Sequence, residues 1–87
     1  MPDIGSKLLR VFDITEDALG TVPRITLTGD SRVMIENHRG LAVYEREHIA
    51  VNGGRLLVSL HGEDLELMEM NKNEIVISGR VFSLELE

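Results

Sequence analysis

Cysteine is absent from the 87 residues, which removes disulfides, thiolate nucleophiles and every cysteine-based zinc or iron–sulfur site. Tryptophan is absent as well, and the other aromatics, Phe12, Tyr44 and Phe82, are scattered. They offer no stacking platform of the kind that readers of single-stranded nucleic acid use. Positive charge is scarce: nine Lys and Arg stand against fifteen Asp and Glu, a net charge of −6. Nucleic-acid affinity comes largely from Lys and Arg displacing counterions, so a phosphate-bearing partner is not expected. No apolar run approaches the roughly 20 residues that span a bilayer. The opening MPDIGSKLLRVFDI is too short and too interrupted to read as a secretory signal, so the expectation is a cytoplasmic protein.

Catalytic patterns are equally sparse. His38, His48 and His61 accompany several serines, but no Gly-x-Ser-x-Gly elbow is present. The histidine spacings match no compact helical metal motif. Glu63-Asp64 with Glu66 lacks the ligand ladder of a calcium loop and reads as solvated. The expectation is a non-enzyme with no catalytic, cofactor-binding or metal-ligating residues.

What is present is a beat of short apolar doublets. Ile25 and Leu27, Val33 and Ile35, then Leu41 and Val43 alternate with other residues, and Gly29-Asp30-Ser31 and Asn37-His38-Arg39-Gly40 fall between them. Period two broken by glycine and polar residues is the signature of strands and reversals. Further doublets fall at 49/51, 58/60, 65/67, 75/77 and 82/84, so that pairs of doublets restart at 25, 41, 58 and 75. This weak repeat predicts about eight short strands. Asn52-Gly53-Gly54 has type I′ hairpin chemistry, and Asn71-Lys72-Asn73 also reads as a reversal. These signals favour an antiparallel meander, folded as a sandwich or small barrel, over the alternative of a short β-solenoid.

The first 22 residues differ from the rest. Ile4, Leu8 and Phe12, beside Leu9 and Val11, lie at helical spacing with Asp3 placed to cap, which predicts a short helix or arm that needs a surface to lie on. Thr15 to Gly20 reads as one further turn, with Thr15 as its cap and Gly20 as its stop. The expected division is therefore 1–22 as an N-terminal arm and 23–87 as the β domain.

A small domain of this length hides only about 60 to 65% of its unfolded surface, so oligomerisation is an expected supplement. Between the apolar doublets, Met34, Leu57, Met68, Met70 and Val76 put apolar groups where a wet face would carry polar ones. Methionine is adaptable at binding surfaces, so Met34, Leu57, Met68 and Met70 are candidate partner contacts. Charge is also uneven. Residues 23–62 hold five arginines against four acids, and residues 63–87 hold two basic residues against seven acidic ones, which reads either as a solvated acidic surface that keeps a small protein soluble or as an asymmetry that would steer a head-to-tail contact or a basic partner. In Asn37-His38-Arg39-Gly40, turn geometry accounts for Asn37 and Gly40. It leaves His38 and Arg39 free for recognition, with Arg39 suited to a carboxylate. Arg24, just after Pro23, is a further candidate.

Val22-Pro23-Arg24-Ile25-Thr26, Gly29, the run Ile35-Glu36-Asn37-His38-Arg39-Gly40-Leu41 and Tyr44 resemble the signature of the YabP/YqfC family of endospore-formation proteins, nearer its YqfC branch. Gly62, Leu65, Leu67, Ile75, Ile77 and Gly79 agree with the family's later landmarks. The resemblance covers residues 22 to 86. It implies a protein of the mother cell in a sporulating Firmicute, acting in cortex or coat assembly at the developing spore, with no known reaction. It also implies a membrane-protein companion, and hence a peripheral place at the forespore outer membrane. The rival expectation is a small-ligand or enzymatic site formed between subunits, lined by His38, Arg39 and a neighbour's carboxylate; a third is a polymerising scaffold.

Overall fold

A computed structural model describes residues 22–87. Six strands follow one another: β1 (Arg24–Thr28), β2 (Arg32–Glu36), β3 (Leu41–Tyr44), β4 (His48–Asn52), β5 (Leu57–Met70) and β6 (Glu74–Leu86). They form one open sheet in the order β1-β2-β6-β5-β4-β3, with every neighbouring pair antiparallel. The expected all-β antiparallel fold is present. Stacked solenoid coils would pair in parallel, so the alternative architecture is ruled out. The predicted N-terminal helix and turn lie outside the described residues.

The strand count is six rather than about eight, and the reason is local. Doublets 58/60 and 65/67 share the single strand β5, and 75/77 and 82/84 share β6. Where turns were expected between them, the β5–β6 ladder has irregularities between His61 and Gly62 and between Glu63 and Glu66. Asp64 adopts a φ of 51° and Gly79 one of 133°. An extra residue in one strand bends the ladder without ending it.

This bend lets one sheet make its own core. Val33, Ile35, Ile75 and Ile77 on one side, Ile49, Val51, Val58 and Leu60 on the other, and Leu65 at the bend form a single cluster. All but Leu65 are fully buried. A flat single layer would leave one face wet, so the two halves of the sheet face each other. Each large aliphatic side chain so buried contributes about 1.5–3 kcal/mol. Connectivity requires the same curl: β2 and β3 are four strand spacings apart in the sheet order, roughly 19 Å if flat. Yet only residues 37–40 join them.

The 16- or 17-residue repeat of the sequence appears here as a repeated pairing scheme. In one half, β2 meets the first part of β6 with Val33 opposite Ile77 and Ile35 opposite Ile75. In the other, β4 meets the first part of β5 with Ile49 opposite Leu60 and Val51 opposite Val58. The bracing of the bends repeats too. The backbone N–H groups of Gly79 and Val81 donate to the carbonyls of Ser31 and Asp30, in the β1–β2 turn. Those of Gly62 and Leu65 donate to Glu47 and Arg46, in the β3–β4 turn. Each hairpin tip therefore holds the kink of the strand beside it.

The reversals differ from expectation in detail. Gly53 to Leu56 form a four-residue loop closed by Gly53 N–H donating to the Leu56 carbonyl, with Asn52 Oδ1 accepting from Gly54. This is longer than the two-residue hairpin its Asn-Gly chemistry predicted. Asn71 to Asn73 do form the β5–β6 turn, in which Asn71 Oδ1 accepts from the N–H groups of Asn73 and Glu74. Asn37 to Gly40 are not a hairpin turn but the crossover between the two halves.

Candidate functional site

The crossover runs across one end of the folded sheet, and backbone contacts fix its path. Asn37 N–H donates to the Asn73 carbonyl at 2.7 Å, and Arg39 N–H to the Asn52 carbonyl at 2.7 Å. Asn37 sits at a φ of 63°, a left-handed conformation that asparagine tolerates better than most residues. Its side-chain amide donates to the Val22 carbonyl at 2.8 Å, which ties the chain leading into β1 to the same end.

His38 is framework rather than a free recognition group. It is only 8% exposed, its Nδ1 accepts from Gly40 N–H at 2.9 Å, and its Nε2 lies 2.8 Å from the Asn71 carbonyl. Because Nδ1 accepts, Nε2 carries the proton and donates to Asn71, which identifies the tautomer from the network. The sequence left this ring unassigned because its partner, Asn71, is distant along the chain.

Arg39 stands differently. Its backbone is fixed, while its side chain is exposed, runs beside Gly54 and makes no ion pair among the described residues. Arg24, also exposed and without an ion pair among the described residues, starts β1 at this end, opposite Glu36 in register. Four of the sequence candidates, Arg24, Asn37, His38 and Arg39, thus gather at one end. Two hold the backbone and two present guanidinium groups to solvent.

The apolar candidates are not gathered in this way. Met34 lies on the outer face between Thr26 and Val76, and Leu57 lies opposite Asn52 on the outer face of the other half. Met68 falls at the ladder irregularity between Leu67 and Glu69, and Met70 stands opposite the core residue Ile75, on the inner row. Met70, expected on the outward face, lies instead on the inner row. Met68 and Met70 are exposed because β5 pairs with β6 alone over this stretch.

Two further features were missed by the sequence reading. On the outer face of the β4 half, His48 and His61 are cross-strand partners with rings stacked at 4.4 Å between centroids and 10° between planes. His48 Nε2 lies 2.8 Å from Ser59 Oγ, and His61 Nε2 lies 3.7 Å from Glu85 Oε1. Ser59, only 2% exposed, is satisfied by this contact. Period-two alternation on neighbouring strands was the available signal, but it needed the register. A recess of about 500 Å³ lies where the β3–β4 turn meets the β5 bend, lined by Tyr44, Glu45, Arg46, Asp64, Leu65 and Glu66. Arg46 and Asp64 approach to 3.5 Å within it, both highly exposed, so the pair adds little stability. Among the described residues no group of three His, Asp or Glu is placed to hold a metal ion, and no helix is long and apolar enough to cross a membrane.

Comparison with known proteins gives a consistent assignment. The profile of the YabP family matches residues 20–87. The chain is 29% identical over 76 residues to the uncharacterized protein YqfC of Bacillus subtilis (strain 168), spanning 85% of this chain and 80% of that protein. No solved structure matches. The ENHRG crossover and the two bend glycines that carried the resemblance lie inside the matched region, and the chain belongs to the YabP family, which makes it a sporulation-associated protein.

Proposed function

We infer that this protein is a non-enzymatic interaction module of the mother cell. It acts during cortex or coat assembly, self-associates, and docks on the cytoplasmic side of a membrane-protein companion at the forespore outer membrane. The observation that carries this reading is Arg39: an exposed guanidinium on a backbone fixed by Asn37, His38 and Asn52. A charged fork on a rigid loop presents a bidentate donor to a partner carboxylate at little ordering cost. Arg24 adds a second cation at the same end. Away from that cluster, Met34, Leu57, Met68 and Met70 are partly or largely exposed apolar residues that add contact area on separate parts of the sheet.

The test is a cross-linked pull-down from sporulating cells with tagged full chain, wild type against Arg39→Ala. A membrane protein retained by the wild type and lost with Arg39→Ala, at equal bait levels, is the expected result. Identical profiles for the two baits would remove Arg39 from the reading.

A further inference from the structure

The two edges of the sheet are not equally guarded. β3 is four residues long and carries a register irregularity between Leu41 and Val43. Its last residue is also tied inward, since Tyr44 Oη accepts from Leu67 N–H at 3.2 Å. Short length, a bulge and a tether are the ways in which proteins blunt an edge. β1 is one residue longer and has no bulge: RITLT runs in unbroken register with β2, with no proline, glycine or lysine, and its single charge, Arg24, and the Asn37 contact to Val22 both lie at its very start. Its composition favours pairing, with β-branched residues at Ile25, Thr26 and Thr28.

Leu27 makes the same point. It stands opposite Val33, on the core row, yet is 52% exposed because nothing among the described residues lies beyond it. Its counterpart edge residue in the repeat, Val43, is less exposed.

We propose that β1 is a self-association edge that pairs antiparallel with the β1 of a second copy about a two-fold axis through Thr26. The sequence of the strand selects this occupant. In an isologous antiparallel register centred on Thr26, Thr26 meets its own copy, Ile25 meets Leu27, and Arg24 meets Thr28. The Thr–Thr pair is favourable across strands, Ile25 and Leu27 bring apolar side chains together, and no like charges oppose one another. The pairing turns two six-stranded sheets into one continuous sheet and covers Leu27 of each copy with Ile25 of the other. This deepens the self-association reading above and rests on it.

The absence of cysteine makes the test clean. Directly opposed residues of an antiparallel pair have Cα atoms about 4.5–5.5 Å apart, within disulfide reach. The two copies of Thr28 would lie roughly 14 Å apart. Full-length Thr26→Cys is therefore expected to cross-link to a covalent dimer under mild oxidation, and Thr28→Cys is not. Light scattering on wild type is expected to give twice the chain mass, and Leu27→Lys, with an inward charge at the edge, half of that. A dimer in which Thr26→Cys fails to cross-link, or cross-links no better than Thr28→Cys, overturns the β1 edge and leaves self-association intact. A wild-type monomer overturns both the edge and self-association, while capture of a membrane partner through Arg39 is judged separately. Cross-linking of Thr26→Cys to a protein other than itself also overturns the proposal, and it identifies a different strand as the occupant of this edge. If Leu27→Lys does not fold, the cysteine pair still decides.

Discussion

A β-carbon added to Gly62 would overlap the carbonyl oxygen of Arg80. The repeat places Gly79 in the matching position, where a β-carbon would meet the carbonyl of Asp64 at 2.5 Å. At Gly62 the obstacle is purely steric, while Gly79 also sits at a φ of 133°. In both cases the neighbour is backbone, which cannot swing aside as a flexible side chain can. Gly62→Ala and Gly79→Ala are each expected to destabilise the fold by about 3 kcal/mol or more, read from urea unfolding midpoints. A loss below about 1 kcal/mol at Gly62 would mean that the bend is not held as tightly as its bracing by Glu47 indicates.

His38 and Arg39 are neighbours with opposite roles. His38→Ala removes the contacts to Gly40 and Asn71 and empties the space of a ring that is only 8% exposed, at an expected cost of about 2–3 kcal/mol. Arg39→Ala is expected to change stability by less than about 0.5 kcal/mol, because it makes no ion pair among the described residues. Thermal melts of the two variants side by side check the split, and equal losses would contradict it.

The stacked histidines permit a double-mutant cycle. With His48 and His61 replaced by alanine singly and together, the coupling is expected to be about 0.2–1 kcal/mol, the usual range of a cross-strand pair. Ser59→Ala should cost about 1 kcal/mol by depriving His48 of its partner. A coupling indistinguishable from zero would show that the 4.4 Å stacking carries no energy of its own.

Tyr44→Phe isolates a single bond. Its hydroxyl accepts the Leu67 N–H, so the variant should speed hydrogen exchange at the Leu67 amide while shifting global stability by no more than about 1 kcal/mol. Unchanged exchange at Leu67 would show that this hydroxyl does not protect the amide.

Much of this fold can be read from residues alone, and the rest is hidden for definite reasons. The inward doublets were legible where period two runs unbroken, so Val33, Ile35, Ile75 and Ile77 are core residues as their spacing implies, whereas past the bend of β6 Phe82 of the 82/84 doublet is exposed. Their restart every 16 or 17 residues was legible too. The two bends were not, because Gly62 and Gly79 look like turn glycines until the ladder is seen to continue past them. At the site, Asn37 and Gly40 announced unusual backbone and have it. The burial of His38 depends on Asn71 and the partnering of His48 on Ser59, pairings that only the strand order brings about.

That strand order also sets a timetable. Because β2 lies against β6, which follows every other strand in the chain, Val33 and Ile35 have no neighbour on that side until Ile75 and Ile77 have been made. During synthesis β3, β4 and β5 can begin pairing in sequence, while the β1–β2 hairpin waits with its apolar face uncovered. Long loop closure is slow and leaves such surfaces exposed meanwhile. A ribosome stalled within the β5–β6 turn would therefore hold a chain whose first hairpin has nowhere to dock, which makes the completion of β6 the step that commits the molecule to its fold.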